Sequence, residues 1–370
     1  MKKSMQLSVL VTLLLAVAYA RPALAATASE AQASSLHVVP TNWPGVYAFT
    51  QPPADFDPLT ASPGELESWG YPRRPSPEEG PDALARWSTA VSPALTRKIP
   101  ELAKLEGVSH RPATRLTVRS QSTKAVAADA SNWSGFALVP AKSAPAFDSV
   151  SGRWVLPTVK QPADQCLGGW DYSSQWVGMG GISDADLLQS GSEADVFCDL
   201  PGNNVAEYFP WIEWLPGPTL VLYENVATNT LFPFVPGDYL IVTVTATKFS
   251  GGASKNAVVN FADVTQGWSV AITFTAAAVG GSKVTGSSAQ WILERPEVGS
   301  TLATLPDYFV DAWQYSAAED MSSAVYYPGA PGTATVYDIT MLDDSDKPIS
   351  YANLYGRAVL WFFAEGSATK

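Results

Sequence analysis

Beyond residue 130 the chain alternates apolar and polar positions with a period of two, and it turns over at Gly, Pro, Asn and Asp. That is the texture of short strands joined by tight turns. The clearest run is Tyr239–Thr247, where Val242, Val244 and Ala246 alternate with Ile241, Thr243, Thr245 and Thr247. Residues 150–155, 174–179, 219–223, 257–261, 269–275, 289–294, 308–313 and 358–363 also have strand composition. No window in this region has the spacing of an amphipathic helix, and no segment repeats. The pattern predicts an all-β fold, an antiparallel β-sandwich of about 240 residues in a single domain (130–370).

Three stretches carry polar residues where strands place them on one face. In S-A-Q-W-I-L-E-R-P, residues 288–296, Gln290, Ile292 and Glu294 share a face and Trp291 and Leu293 the other. The second face reads as core and the first as wet, with Pro296 ending the strand. In W-V-G-M-G-G-I-S-D-A-D-L-L-Q-S-G, residues 176–191, a strand enters a glycine turn and a short second strand ends at Ser190 and Gly191, leaving Gln189 near a strand end. In E-Y-F-P-W-I-E-W-L-P, residues 207–216, Trp211 and Glu213 fall on one face and Ile212 and Trp214 on the other, a candidate groove for an extended ligand.

The first 25 residues combine Lys2 and Lys3, an apolar run and Ala23-Leu24-Ala25, the pattern of a signal peptide cut after Ala25. Arg21 and Pro22 leave the apolar run too short for a membrane anchor. A secreted product, extracellular or periplasmic, is therefore expected, and export makes a Cys166–Cys198 disulfide the default. Residues 26–129 are proline-rich, with short helices expected near 82–89 and 100–106. Within 93–125 seven basic residues stand against two acidic ones, a balance of +5, whereas the whole chain carries −12. The acidic bulk argues against nucleic acid. One reading of this segment is a disordered linker; the basic charge favours the other, a prosegment that covers the active site, released by acid and cut between Lys124 and Ser131 in an exposed stretch.

Chemistry follows from what is missing. The only histidines, His37 and His110, lie before the predicted domain. Ser-His-Asp and Cys-His catalysis and most zinc hydrolase designs are thereby excluded from it, leaving carboxylates and amides. No metal or cofactor is expected.

The motifs S-N-W-S-G-F at Ser131, W-V-G at Trp176, L-L-Q-S-G around Gln189, W-I-E-W-L-P at Trp211 and A-Q-W-I-L-E-R-P at Ala289 resemble, in order and spacing, those of the eqolisins, the glutamic peptidases. The resemblance implies a sandwich of two curved sheets of the concanavalin A-like jelly-roll type, acid endopeptidase activity on protein or peptide substrates, and a catalytic pair at Gln189 and Glu294. It also marks Trp133, Trp176 and Trp211 as candidate substrate contacts and Glu213 as a supporting acid. The chain departs from the family pattern at Gly180, Ile212, Leu215 and Gln290. A monomer is expected. The competing reading is a sandwich glycosidase or carbohydrate-binding module, since aromatic grooves with paired carboxylates also suit sugars.

Overall fold

The computed structural model describes residues 36–122, 125–161, 169–182, 184–199 and 203–365, and the compact unit begins at Leu36. The expected signal peptide, Lys124 and Cys166 lie outside the described residues, so the leader and the disulfide remain expectations. The domain is two antiparallel β layers over one core, as the alternation predicts. The layer that bears the candidate residues contains β1 (Trp133–Val139), β2 (Ser174–Gly180), β3 (Leu187–Cys198), β4 (Asn204–Trp214), β5 (Ala289–Glu294) and β6 (Thr335–Leu342). Its spatial order is β6-β1-β5-β2-β3-β4, every pairing antiparallel. The opposing layer is built on Phe147–Val155, Tyr239–Thr247, Asn256–Asp263 and Trp268–Thr275.

The period of two divides each strand of the first layer between two environments. Toward the opposing layer point Val177, Met179, Leu188, Ala194, Ile212, Trp214, Trp291 and Leu293, all in the main core. The layers are also stitched by polar tips of large rings: Trp291 Nε1 donates to the Ser151 carbonyl at 2.8 Å and Trp154 Nε1 to Ser192 Oγ at 3.0 Å. An indole buried without such a partner would lose about 1–3 kcal/mol. Toward the other face point Trp133, Trp176, Leu187, Trp211 and Ile292, a second and smaller cluster.

Of the residues before 131, the described ones from Leu36 on pack into this architecture rather than trailing from it. Val46–Phe49 extends the opposing layer beside Trp268–Thr275. The segment then reaches the first layer, where Glu101–Lys104 pairs with Leu220–Asn225 beyond β4. It crosses the face of that layer and reappears beyond the opposite edge as Ala125–Ala130, parallel to β6. The helix expected at 82–89 is present as Pro81–Ala90. The one expected at 100–106 is instead the strand Glu101–Lys104, because a free sheet edge offers its backbone more than a local helix does. The stretch expected to be exposed at 125–130 is likewise a strand, with Val126, Ala128 and Ala130 buried.

The expected break after Gln189 is absent, and β3 runs on to Cys198, a strand of twelve residues in all. Gly191 makes no turn there. A Cβ on it would collide with the Gln175 carbonyl oxygen and with Cα and Cβ of Trp176 on the neighbouring strand, so the glycine lets β2 approach β3 this closely at Trp176. Gly191→Ala should therefore destabilise the domain by about 1–3 kcal/mol, the usual cost of overpacking. Urea denaturation of the two proteins checks this, with a lowered midpoint expected.

Candidate active site

The antiparallel registers set the candidate residues in rows across the outer face of the first layer. One row runs Trp133, Glu294, Ser174, Glu193 over β1, β5, β2 and β3. The next runs Ile292, Trp176, Gly191, Trp211. The third runs Gln290, Gly178, Gln189, Glu213. All six predicted residues (Gln189, Glu294, Trp133, Trp176, Trp211 and Glu213) therefore share one face, and each is at most 2% exposed. The expected wet face is dry because residues 105–116, the strap, cross directly over it.

The strap is anchored at both ends of its crossing. Leu105 N–H donates to the Thr219 carbonyl, and Thr114 N–H and Oγ1–H both donate to Asn132 Oδ1, at 2.8 and 2.9 Å. Ala113, just before the second anchor, and Leu116, two residues after it, pack on the Trp133–Trp176–Trp211 cluster. His110, excluded from the chemistry on sequence grounds by its position, is the strap's deepest residue and is fully buried. Its ring stacks on Trp211 with centroids 4.0 Å apart and planes 5° from parallel. Nε2 lies 2.6 Å from Glu193 Oε1 and Nδ1 lies 3.3 Å from Thr219 Oγ1. Thr219 in turn donates to Glu213 Oε1 at 2.7 Å, and Gln189 Nε2 donates to Glu213 Oε2 at 2.6 Å. A doubly protonated imidazole satisfies this chain: both nitrogens donate, and the threonine hydroxyl accepts from one side and donates to the other.

Glu294 sits across the strap from that chain. Its Oε2 accepts from Trp176 Nε1 at 2.8 Å, and its Oε1 accepts from the Arg111 backbone N–H at 3.0 Å and from Asn132 Nδ2 at 3.3 Å. Burial pushes Glu294 up to about 8, against the lowering pull of His110. Burial alone would lower His110, but the charges of Glu193, Glu294 and Glu213 outweigh it and hold the ring at about 9. Glu213 is raised, again first by burial. Asp195, two residues beyond Glu193 and hydrogen-bonded to the Ser173 amide, is raised by burial and by the Glu193 charge.

Sequence reasoning located the glutamine, the glutamate and the tryptophans but missed His110, Glu193, Thr219 and Asn132. A signal for Glu193 was present, since it follows Gln189 by an even number of residues, and reading β3 past Gly191 would have found it. The departures also acquire reasons. Gly180 has φ of 90° and a Cβ there would run into the Asp186 carbonyl oxygen, so no acid fits, while Asp186 itself brings a carboxyl to that spot. Gln290 Nε2 donates to the Gly180 carbonyl and to Ser288 Oγ, both at 2.5 Å, so it ties the β2 end to β5. It does not touch Glu294 in the described contacts. Ile212 faces the core with Trp214, while Leu215 closes the cleft cluster.

The strap-covered face of this β-sandwich gathers carboxylates, amides and indoles, groups that suit hydrolysis by side chains. The chain belongs to the peptidase A4 family, whose model matches residues 131–357, and is thus a hydrolase acting on peptide bonds. That match decides against the carbohydrate reading. No curated protein matches the chain. Among solved structures, full-length tailspike protein 2 from Escherichia coli O157:H7 bacteriophage CAB120 is 10% identical over 59% of this chain and 27% of its own, with a TM-score of 0.25. The enzymatically active domain of bacteriophage CBA120 tailspike protein 2 is 10% identical over 60% and 29%, with a TM-score of 0.21. This chain spans under a third of either, and scores this low bear on neither fold nor activity.

The raised pKa values of His110 and Glu294 fix a pH dependence. A folded-state pKa raised from 6.5 to about 9 makes His110 a stabilising group fully below 6.5, lost as pH rises through 9. Glu294, raised from 4.5 to about 8, costs stability progressively as pH rises between those values. Both favour the covered cleft in mild acid, opposite in direction to acid release of the strap. Stability against urea should fall from pH 6 to pH 9.5, and His110→Ala should remove about 3 kcal/mol of that fall. A flat profile in the wild type would contradict the protonated imidazole.

Proposed function

We propose that this chain is an exported acid endopeptidase made as a proenzyme, with Glu294 as general base and Gln189 as the stabiliser of the oxyanion. The observation that carries the reading is the contact between the Glu294 carboxyl and the backbone N–H of Arg111, since a backbone amide is thereby held at a carboxyl that could exchange protons with it. In the cleavage step Glu294 takes a proton from water as the water oxygen bonds the scissile carbonyl carbon. The carbonyl π electrons move to oxygen, where the Gln189 amide hydrogens stabilise the negative charge. Collapse of the intermediate breaks the C–N bond, and Glu294 returns the proton to the departing nitrogen. Gln189 Oε1 has no hydrogen-bond partner within the described residues and is free to orient the water. The strap would then be the part of the prosegment that shuts the cleft, and the leader at residues 1–25 supports export.

Glu294 is a base only when ionised. Water entering the cleft as the strap departs would remove the burial that raises its pKa, returning the carboxyl toward the ordinary range and the activity to the acid side. Glu294→Gln should lose about 10²- to 10⁴-fold in turnover and Gln189→Ala about 10²- to 10³-fold. Because both act on one intermediate, the double variant should lose far less than the product. Acid proteolysis of an unfolded protein by the wild type and the three variants, with circular dichroism to confirm their folds, provides the test. Near-normal turnover by Glu294→Gln would end the reading.

A further inference from the structure

The strap shows how a peptide lies in this cleft. The residue whose N–H meets Glu294 is Arg111, so the peptide unit at the candidate base is the one joining His110 to Arg111, with His110 on its acyl side. The side chain on that side does not project to solvent. It drops to the floor between Trp211, Glu193 and Thr219, and every one of those neighbours is itself buried. We propose that this pocket is the subsite for the side chain preceding the cleaved bond, and that it selects histidine, a planar cation with two ring donors. The proposal rests on the peptidase reading above and adds to it the class of substrate.

The chemistry of the walls distinguishes histidine from its rivals. Trp211 offers a flat face in parallel contact, which an alkylammonium has no plane to match. Glu193 Oε1 and Thr219 Oγ1 stand at 2.6 and 3.3 Å from the two ring nitrogens, so one acceptor serves each N–H. A guanidinium is also planar, but its longer arm carries the donors farther from the backbone than these acceptors lie. An apolar side chain of similar size would leave Glu193 buried with no cation, which is costly. Glu213 closes the far side, 3.7 Å from Nδ1, and adds negative potential without a direct hydrogen bond to the ring. On the acid side a substrate histidine is already protonated, so the pocket receives the cation without changing its charge state.

Two measurements on the full-length chain test this. In the first, the acid-treated protein digests an unfolded protein of known sequence, and mass spectrometry reads the residue before each cut. Histidine should be enriched there by about 10- to 100-fold over leucine, the worth of a charge-assisted hydrogen bond, and in Glu193→Gln the ratio of cuts after histidine to cuts after leucine should fall to about one. In the second, imidazole is titrated into the full-length His110→Ala protein and followed by thermal shift. Saturable stabilisation is expected, absent when Glu193→Gln is added. Cutting that ignores histidine, or prefers arginine or lysine, overturns the subsite and leaves the peptidase reading standing. Failure of imidazole to bind the vacated pocket also overturns it. Absence of any cutting beside normal imidazole uptake overturns the peptidase reading instead, and with it the substrate role of a pocket that still binds the ring.

Discussion

A single imidazole holds the charge balance of the cleft floor. Glu193, Glu213 and Glu294 are at most 2% exposed, and no Lys or Arg side chain hydrogen-bonds any of them among the described contacts. Three ionised carboxylates in such surroundings would be prohibitive. The arrangement resolves this by pairing Glu193 with His110, by driving the pKa values of Glu213 and Glu294 upward, and by setting Thr219 and Gln189 donors on Glu213 and Trp176 and Asn132 donors on Glu294. Strap and floor thus depend on one another. Without the strap the floor must be wet, and without the acidic floor the strap would bury an uncompensated cation.

The strap is held by this buried cation and by strand pairing at its two ends more than by the basic surface expected from composition. Arg111 meets Glu297 at 3.3 Å, Arg115 meets Asp346 at 3.3 Å and Lys98 meets Glu224 at 3.4 Å, all with substantially exposed cations. Pairs of this kind contribute about 0–1 kcal/mol each. Arg119 pairs with Asp129 within the same N-terminal region, and the Arg97 guanidinium lies over Tyr71 and donates to the Trp69 carbonyl. The +5 balance is therefore spread over contacts that act weakly or inside the segment. The decisive positive charge is the histidine that a formal count leaves neutral.

Which parts were legible in the sequence follows from the range of the interactions. Alternation along one strand is local, so the split of Trp291 and Leu293 from Ile292 and Glu294, and of Ile212 and Trp214 from Trp211 and Glu213, could be read directly and the structure has it. Pairing partners are not local. The helix expected at 100–106 became a strand because Leu220–Asn225 had a free edge more than a hundred residues away, and His110 reaches Glu193 across 83 positions. Gly191 misled for a related reason. A glycine that makes room for Trp176 on the next strand is indistinguishable in sequence from one that makes a turn.

Under the proposed mechanism, with Glu294 as base and the strap as its cover, the covered cleft is inactive for two reasons that share one cause. The strap fills the groove, which denies access to any other chain. It also removes water from Glu294, and the resulting burial holds that carboxyl protonated well above its ordinary range, where it has no lone charge with which to take a proton from water. A covering segment that merely blocked entry would leave an ionised base behind it, ready to act on the segment itself. Here occlusion lowers the reactivity of the base at the moment a peptide unit lies against it, with the Arg111 amide, Asn132 and Trp176 occupying the carboxyl oxygens. Desolvation by the occupant is thus the property that separates a bound strap from a productive substrate, which must bring or admit a water molecule that the strap excludes.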